Sequence, residues 1–141
     1  MKPLYTAMML GTVLGLAGMT GHAESTAKST TSGTVVDTLL KRGLVVAPGT
    51  DVIIDRVTLP PDITLSRRWH PGEMFVYVMK GTVTVSPDGK DEIVGKKGDV
   101  VDVPFKQVYA ARTNGEGAQL LLFRVHEAGQ PIRVKVENED P

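Results

Sequence analysis

"RRWHPGEMFVYVMKG", residues 67–81, places a lone histidine before a Pro-Gly turn and an acidic residue, then runs straight into a strand. Side chains of an extended chain alternate between two faces, so Arg68 and His70 share one face and Trp69 takes the other. These are the residue types of half a metal site: an imidazole, a carboxylate and a turn that could gather them. What surrounds them decides whether a metal could be held there.

Outward from this stretch, short β-rich segments recur between Gly, Pro and Asp turns. "TDVIIDRVTL" (50–59) ends at Pro60-Pro61, which cannot continue a central strand. "MFVYVMK" (74–80) and "TVTVSP" (82–87) flank Gly81, and "PDGK" (87–90) is a turn. "KKGD" (96–99) leads into "VVDVP", "QLLLFRVH" (119–126) is a further strand, and "PIRVKVE" (131–137) alternates apolar with polar. "VVDTLLKR" (35–42) fits a short helix or a strand, and strand is favoured. "GEGA" (115–118) precedes a strand instead of opening a helix, so it is no nucleotide motif. Regular short strands with this punctuation predict an all-β sandwich or barrel.

The first residues follow another logic. Lys2 precedes an apolar run, Ala7 to Met19, too short to span a bilayer, and Gly21 and Ala23 put small residues before Glu24. Residues 1–23 are therefore expected to be a cleaved signal peptide, an uncleaved anchor being the alternative. Met19 stands where a lipid-modified N-terminus would need cysteine. Residues 24–34, "ESTAKSTTSGT", read as a flexible polar linker, 35–137 as the folded domain and 138–141 as a polar tail. The mature protein is then exported, with no membrane span. The 16 basic and 16 acidic residues balance and form no long runs, which argues against nucleic acid as a partner. With no cysteine, disulfides, zinc-thiolate sites and cysteine nucleophiles are excluded.

Over residues 45–136 the chain resembles the cupin superfamily, small jelly-roll barrels many of which hold a metal between two strand motifs. "HPGEMFVYVMKG" carries the first motif and "GDVVDVPFKQVY" the second, with "FRVHEAGQP" continuing beyond. Alignment on Gly81 puts the family's second histidine at His70 and its first at Arg68. The family's glutamate falls on Met74, with Glu73 one residue early. In the second motif Gly98 and Pro104 are kept, Lys106 replaces a glycine and Tyr109 occupies the histidine position. The late asparagine falls on Thr113, with Asn114 displaced by one. The resemblance implies a single jelly-roll β-barrel and, together with the signal, the bacterial periplasm.

One surviving ligand position of four favours no metal cofactor. Strand parity directs Met74, Val76 and Val78 inward, so Glu73 could supply the missing carboxylate only through a distorted turn. Arg68 would put a permanent cation beside any metal ion. The alternative is a divalent transition metal on His70, Glu73 and Tyr109, and with it a metal-dependent cupin oxygenase or isomerase. A closed interior makes an unpaired Arg68 expensive, which leaves two answers. In one, Arg68 and Glu73 form an ion pair at the barrel mouth. In the other, Arg68 anchors a small anionic ligand with His70, Tyr109, Met74 and Glu73 around it. Trp69 and His126 read as packing residues, and no serine or carboxylate pair has a catalytic spacing. Apolar residues on both faces of "QLLLFRV" imply that its outer face is covered, which predicts a homodimer.

Overall fold

The computed structural model describes residues 28–31 and 33–137. The expected signal peptide (1–23) and polar tail (138–141) lie outside the described residues. Nine strands follow in order: β1 Lys28–Thr31, β2 Thr34–Gly43, β3 Thr50–Leu59, β4 Thr64–Trp69, β5 Gly72–Pro87, β6 Ile93–Lys96, β7 Val100–Val103, β8 Tyr109–Glu127 and β9 Val134–Lys135. No helix occurs among the described residues, and so none long and apolar enough to cross a membrane. The stretch at 35–42 is strand. Within the segment expected as a tether, Lys28–Thr31 instead pairs with β2, because a backbone of small polar residues can still complete a ladder.

All pairings are antiparallel. β1, β2, β3, β8, β4 and β9 lie side by side in that order, while β5 pairs with β6, β7 and β8. β8 joins the two groups: its second half pairs with β3, its beginning with β4, and nearly its whole length with β5. The result is a jelly-roll barrel around a core that includes Val57, Val76, Val78, Val83, Val101 and Leu120.

How two strands of 16 and 19 residues serve a curved barrel is visible in their burial. In β5 the even positions Met74, Val76 and Val78 are buried, but beyond Gly81 the odd positions Val83, Val85 and Pro87 are. β8 does the reverse, odd at Tyr109, Ala111 and Thr113 and even from Ala118 to His126. A one-residue slip exchanges the faces of a strand, and register shifts between Val78/Lys80 and Gly81/Val83 supply it. Gly81 faces Ala118 across the ladder, so both strands turn the same corner together. The Gly81 break and the "GEGA" interruption are thus corners within continuous strands, and segments expected as separate are joined.

The corner requires glycine. Gly81 has φ +73°, and a Cβ there would lie 2.1 Å from the Gly117 carbonyl oxygen, a backbone atom with nowhere to go. Gly98, at φ +94°, has nothing within 4 Å of its would-be Cβ. Gly98→Ala should therefore cost only the ~1–2 kcal/mol of left-handed backbone. Gly81→Ala should cost that plus ~1–3 kcal/mol of overpacking. Urea unfolding of the two variants would measure the gap, and equal costs would contradict the corner assignment.

Candidate functional site

The barrel encloses a cavity of about 470 Å³, within the range of small-molecule sites. Its walls come from β2, β3, β4, β8 and the C-terminal segment that holds β9. Arg68, His70 and Tyr109 all line it, as parity and the resemblance implied. Arg68 and Tyr109 face each other directly in the β4–β8 ladder.

His70 is buried, with both ring nitrogens engaged. Nδ1 lies 2.6 Å from the Ile132 carbonyl and Nε2 2.7 Å from the Tyr109 hydroxyl. A carbonyl can only accept, so Nδ1 carries the proton and donates it, and Nε2 accepts from Tyr109. Burial pushes the imidazole pKa down to about 4; the Ile132 bond opposes this, while Arg124, Arg68 and Arg133 add to it. His70 is neutral at ordinary pH. Burial likewise raises the Tyr109 phenol, with the same arginines pulling it back.

Arg68 is half-buried, and among the described residues its side chain bonds only within its own strand. Its Nε donates to the Ser66 carbonyl at 2.7 Å and one terminal nitrogen donates to Ser66 Oγ at 3.2 Å. Burial lowers its pKa and Arg133 lowers it further, against the attraction of Tyr109. It forms no ion pair among the described residues, so the expected pairing with Glu73 does not occur. Glu73 is exposed and points outward beside Phe105, Val125 and Glu127, because it belongs to β5 and takes the opposite face from Met74. The structure removes Glu73 from the site. Met74 does face inward, but it is packed in the hydrophobic core and is not part of the cavity wall.

Three further cations line the cavity: Arg124, Arg133 and Lys135. Arg124 is only 6% exposed, and it donates to Asp55, itself 1% exposed. Asp55 also accepts from Thr38 Oγ1 at 2.7 Å. Arg124 Nε and Thr34 Oγ1, both on cavity-lining residues, are buried without a hydrogen-bond partner among the described residues. The sequence signal for Arg124 was its inward parity on β8, shared with Leu120 and Leu122. Arg133 and Lys135 carried no such signal, since only the pairing of β9 with β4 brings them to the mouth.

The second-motif positions have turned structural. Thr113 Oγ1 donates to the Pro60 carbonyl at 2.7 Å and accepts from the Ile63 amide at 3.2 Å, fastening the β3–β4 turn. Lys106 takes φ +58°, the left-handed conformation a glycine would hold without strain. His126 is buried with neither ring nitrogen bonded among the described residues, and burial lowers its pKa. It lies outside the cavity wall.

A metal centre fits this donor set poorly. Nε2 of His70 already accepts from Tyr109, no acid among the described residues lines the cavity, and four of the lining side chains are cationic. Among the described residues no three His, Cys, Asp or Glu side chains cluster as metal ligands would.

The family profile described as "Cupin domain" matches residues 55–126. No curated protein matches the sequence. Among solved structures, a cupin-like protein of Thermotoga maritima aligns at 19% identity over 82% of this chain and 88% of that one, TM-score 0.62. Oxalate decarboxylase of Bacillus subtilis aligns at 16% identity over 79% of this chain and 30% of its own, TM-score 0.64. A conserved Streptococcus pyogenes protein of unknown function aligns at 21% identity over 68% and 76%, TM-score 0.55. At these identities the likeness is one of fold.

A neutral, buried His70 makes stability depend on pH with a definite sign. The unfolded imidazole titrates near 6.5 and the folded one near 4, so between those values the unfolded chain binds more protons. The contribution is complete above about pH 6.5 and is lost as pH falls towards 4, up to about 3 kcal/mol. Urea unfolding from pH 7 to 5 should show wild type losing more stability than His70→Gln, and parallel slopes would refute the assignment.

Proposed function

This chain belongs to the cupin domain family, and from that premise we propose that it is an exported, metal-free protein that binds a small organic anion. The observation that carries the reading is a barrel cavity lined by Arg68, Arg124, Arg133 and Lys135 and, among the described residues, by no carboxylate. A guanidinium matches the planar oxygens of a carboxylate or phosphate, and the donors of Arg68 not taken by Ser66 are open to the cavity. Tyr109 donates a hydrogen bond to His70, whose imidazole burial keeps neutral, so neither is poised as a free base or ligand. Periplasmic export rests on the reading of residues 1–23. The metal-dependent oxygenase or isomerase has less support, because its ligand set needed Glu73, which faces outward.

A screen of small carboxylates and phosphates should raise the melting temperature of the wild type. A ligand at 100 times its Kd stabilises by about 2.7 kcal/mol, readily seen in a thermal shift. Arg68→Met, which fills the space without charge, should weaken binding by about tenfold or more with the fold intact. A stoichiometric transition metal in the purified protein, lost in His70→Ala, would overturn the metal-free reading. An anion screen without any shift would overturn the binding reading.

The outer face of the sheet supports a homodimer. Phe75 and Phe123 are partners in the β5–β8 ladder with ring centroids 6.5 Å apart, and they are 37% and 39% exposed. Tyr77 pairs with Leu121 beside them, and Ile54 continues the row from β3. Exposed apolar patches of this kind mark interfaces. Across this face Asp102 stands at the β7 edge, and Arg56, paired with Asp37 at 3.5 Å, lies towards β2, so charged residues rim the apolar row. Sedimentation at tens of micromolar should show a dimer for wild type and a monomer for Phe75→Lys/Phe123→Lys. A monomeric wild type would sink the assignment.

A further inference from the structure

Resting on the anion-binding reading, we infer that the ligand is an amphipathic dianion: a head with two negative charges and a compact apolar arm. The charge count points to the head. Arg68, Arg124, Arg133 and Lys135 line the cavity, and the only carboxylate among the described residues that pairs with any of them is Asp55, held by Arg124 and Thr38. Among the described residues, three positive charges remain uncompensated. A monoanion would leave two of them without a counter-charge; Arg68 is half-buried, where repulsion is screened less than in water, while Arg133 and Lys135 are exposed. The head has a ready contact at depth in Arg124 Nε, a buried donor with no partner among the described residues, whose desolvation a ligand oxygen would offset.

The arm follows from where the apolar wall lies. On β4 the cation Arg68 stands opposite Tyr109, while Leu65 stands opposite Ala111, about 10 Å along the strand. Across the β3–β8 ladder, Arg124 stands opposite Ile53, whereas Val57, another wall residue, stands opposite Leu120, about 13 Å further along. Val36 pairs towards Val57 from β2, and Ile63 precedes Leu65. The cations therefore gather at one end of the cavity and the aliphatic side chains at the other. A small inorganic anion would satisfy the first end and leave the second unfilled.

Titration calorimetry on the purified chain with matched probes tests this. Benzylmalonate carries the double head and the arm, 3-phenylpropanoate the same arm with one carboxylate, and malonate the head alone. Benzyl phosphate replaces the carboxylate pair by a phosphate. Benzylmalonate or benzyl phosphate should bind at least about tenfold more tightly than either truncated probe, since one charge-assisted contact is worth that much. The tighter of the two identifies the head group. The exposed pair Arg133→Gln/Lys135→Gln should weaken the dianions more than 3-phenylpropanoate. Equal affinity for benzylmalonate and 3-phenylpropanoate, or an equal loss for both in that variant, overturns the dianionic head. Equal affinity for malonate and benzylmalonate overturns the arm. If 3-phenylpropanoate and malonate bind but do not differ from the full probe, anion binding stands and only this inference falls; if nothing binds, both fall.

Discussion

The antiparallel ladder between β5 and β8 is the constraint on which the rest of the barrel hangs. It runs from Gly72 opposite His126 to Pro87 opposite Tyr109, and every other strand except β1, β2 and β9 pairs directly with one of these two, β2 and β9 joining through a neighbour. Because both strands exchange faces at Gly81 and Gly117, a single ladder can line the interior of a curved wall along its whole length. The cavity depends on that exchange. Tyr109 and Arg124 lie on opposite sides of the β8 corner, one at an odd and one at an even position, yet both face inward.

Charge inside the barrel is arranged in two tiers. The deep tier is the Asp55–Arg124 pair, which Thr38 completes; two desolvated charges persist only where such bonds satisfy them. Breaking such a pair costs more than the pair contributes, so Arg124 is held by the fold itself. The outer tier, Arg68, Arg133 and Lys135, is held more loosely and sees more solvent. His70 sits between the tiers as a neutral spacer whose hydrogen bonds tie β8 to the C-terminal segment.

The fold was legible because its signals are local. Period-two alternation, turn residues and the two motifs around His70 and Gly98 each act over a few residues. β3 appears at Thr50–Leu59, the bounds its flanking prolines and alternation suggest. Arg68, His70 and Tyr109 were legible as neighbours because the resemblance to the cupin family aligns both motifs, while parity placed Arg68 and His70 on one face. What stayed hidden depended on partners distant in sequence. Joining 74–80 to 82–87 needed the Gly117 backbone packed against Gly81, and Arg133 and Lys135 needed the pairing of β9 with β4. Glu73 was misplaced because proximity in sequence competed with parity, and parity won.

Among the described residues, the segment from Ile132 to Val136 is attached by little: Arg68 opposite Lys135, Trp69 opposite Val134, a hydrogen bond from the Val136 amide to the Arg67 carbonyl, and the Ile132 carbonyl that accepts from His70. Yet it delivers two of the four cations that line the cavity. On the proposed function, the residues that would set ligand preference are thereby separated from those that maintain the barrel, whose core and corners lie elsewhere. Such a division makes the specificity of this scaffold evolvable. Substitutions or small insertions in one peripheral strand can retune which molecules enter, while the barrel tolerates the experiment and lineages can diverge in ligand without refolding their ancestor.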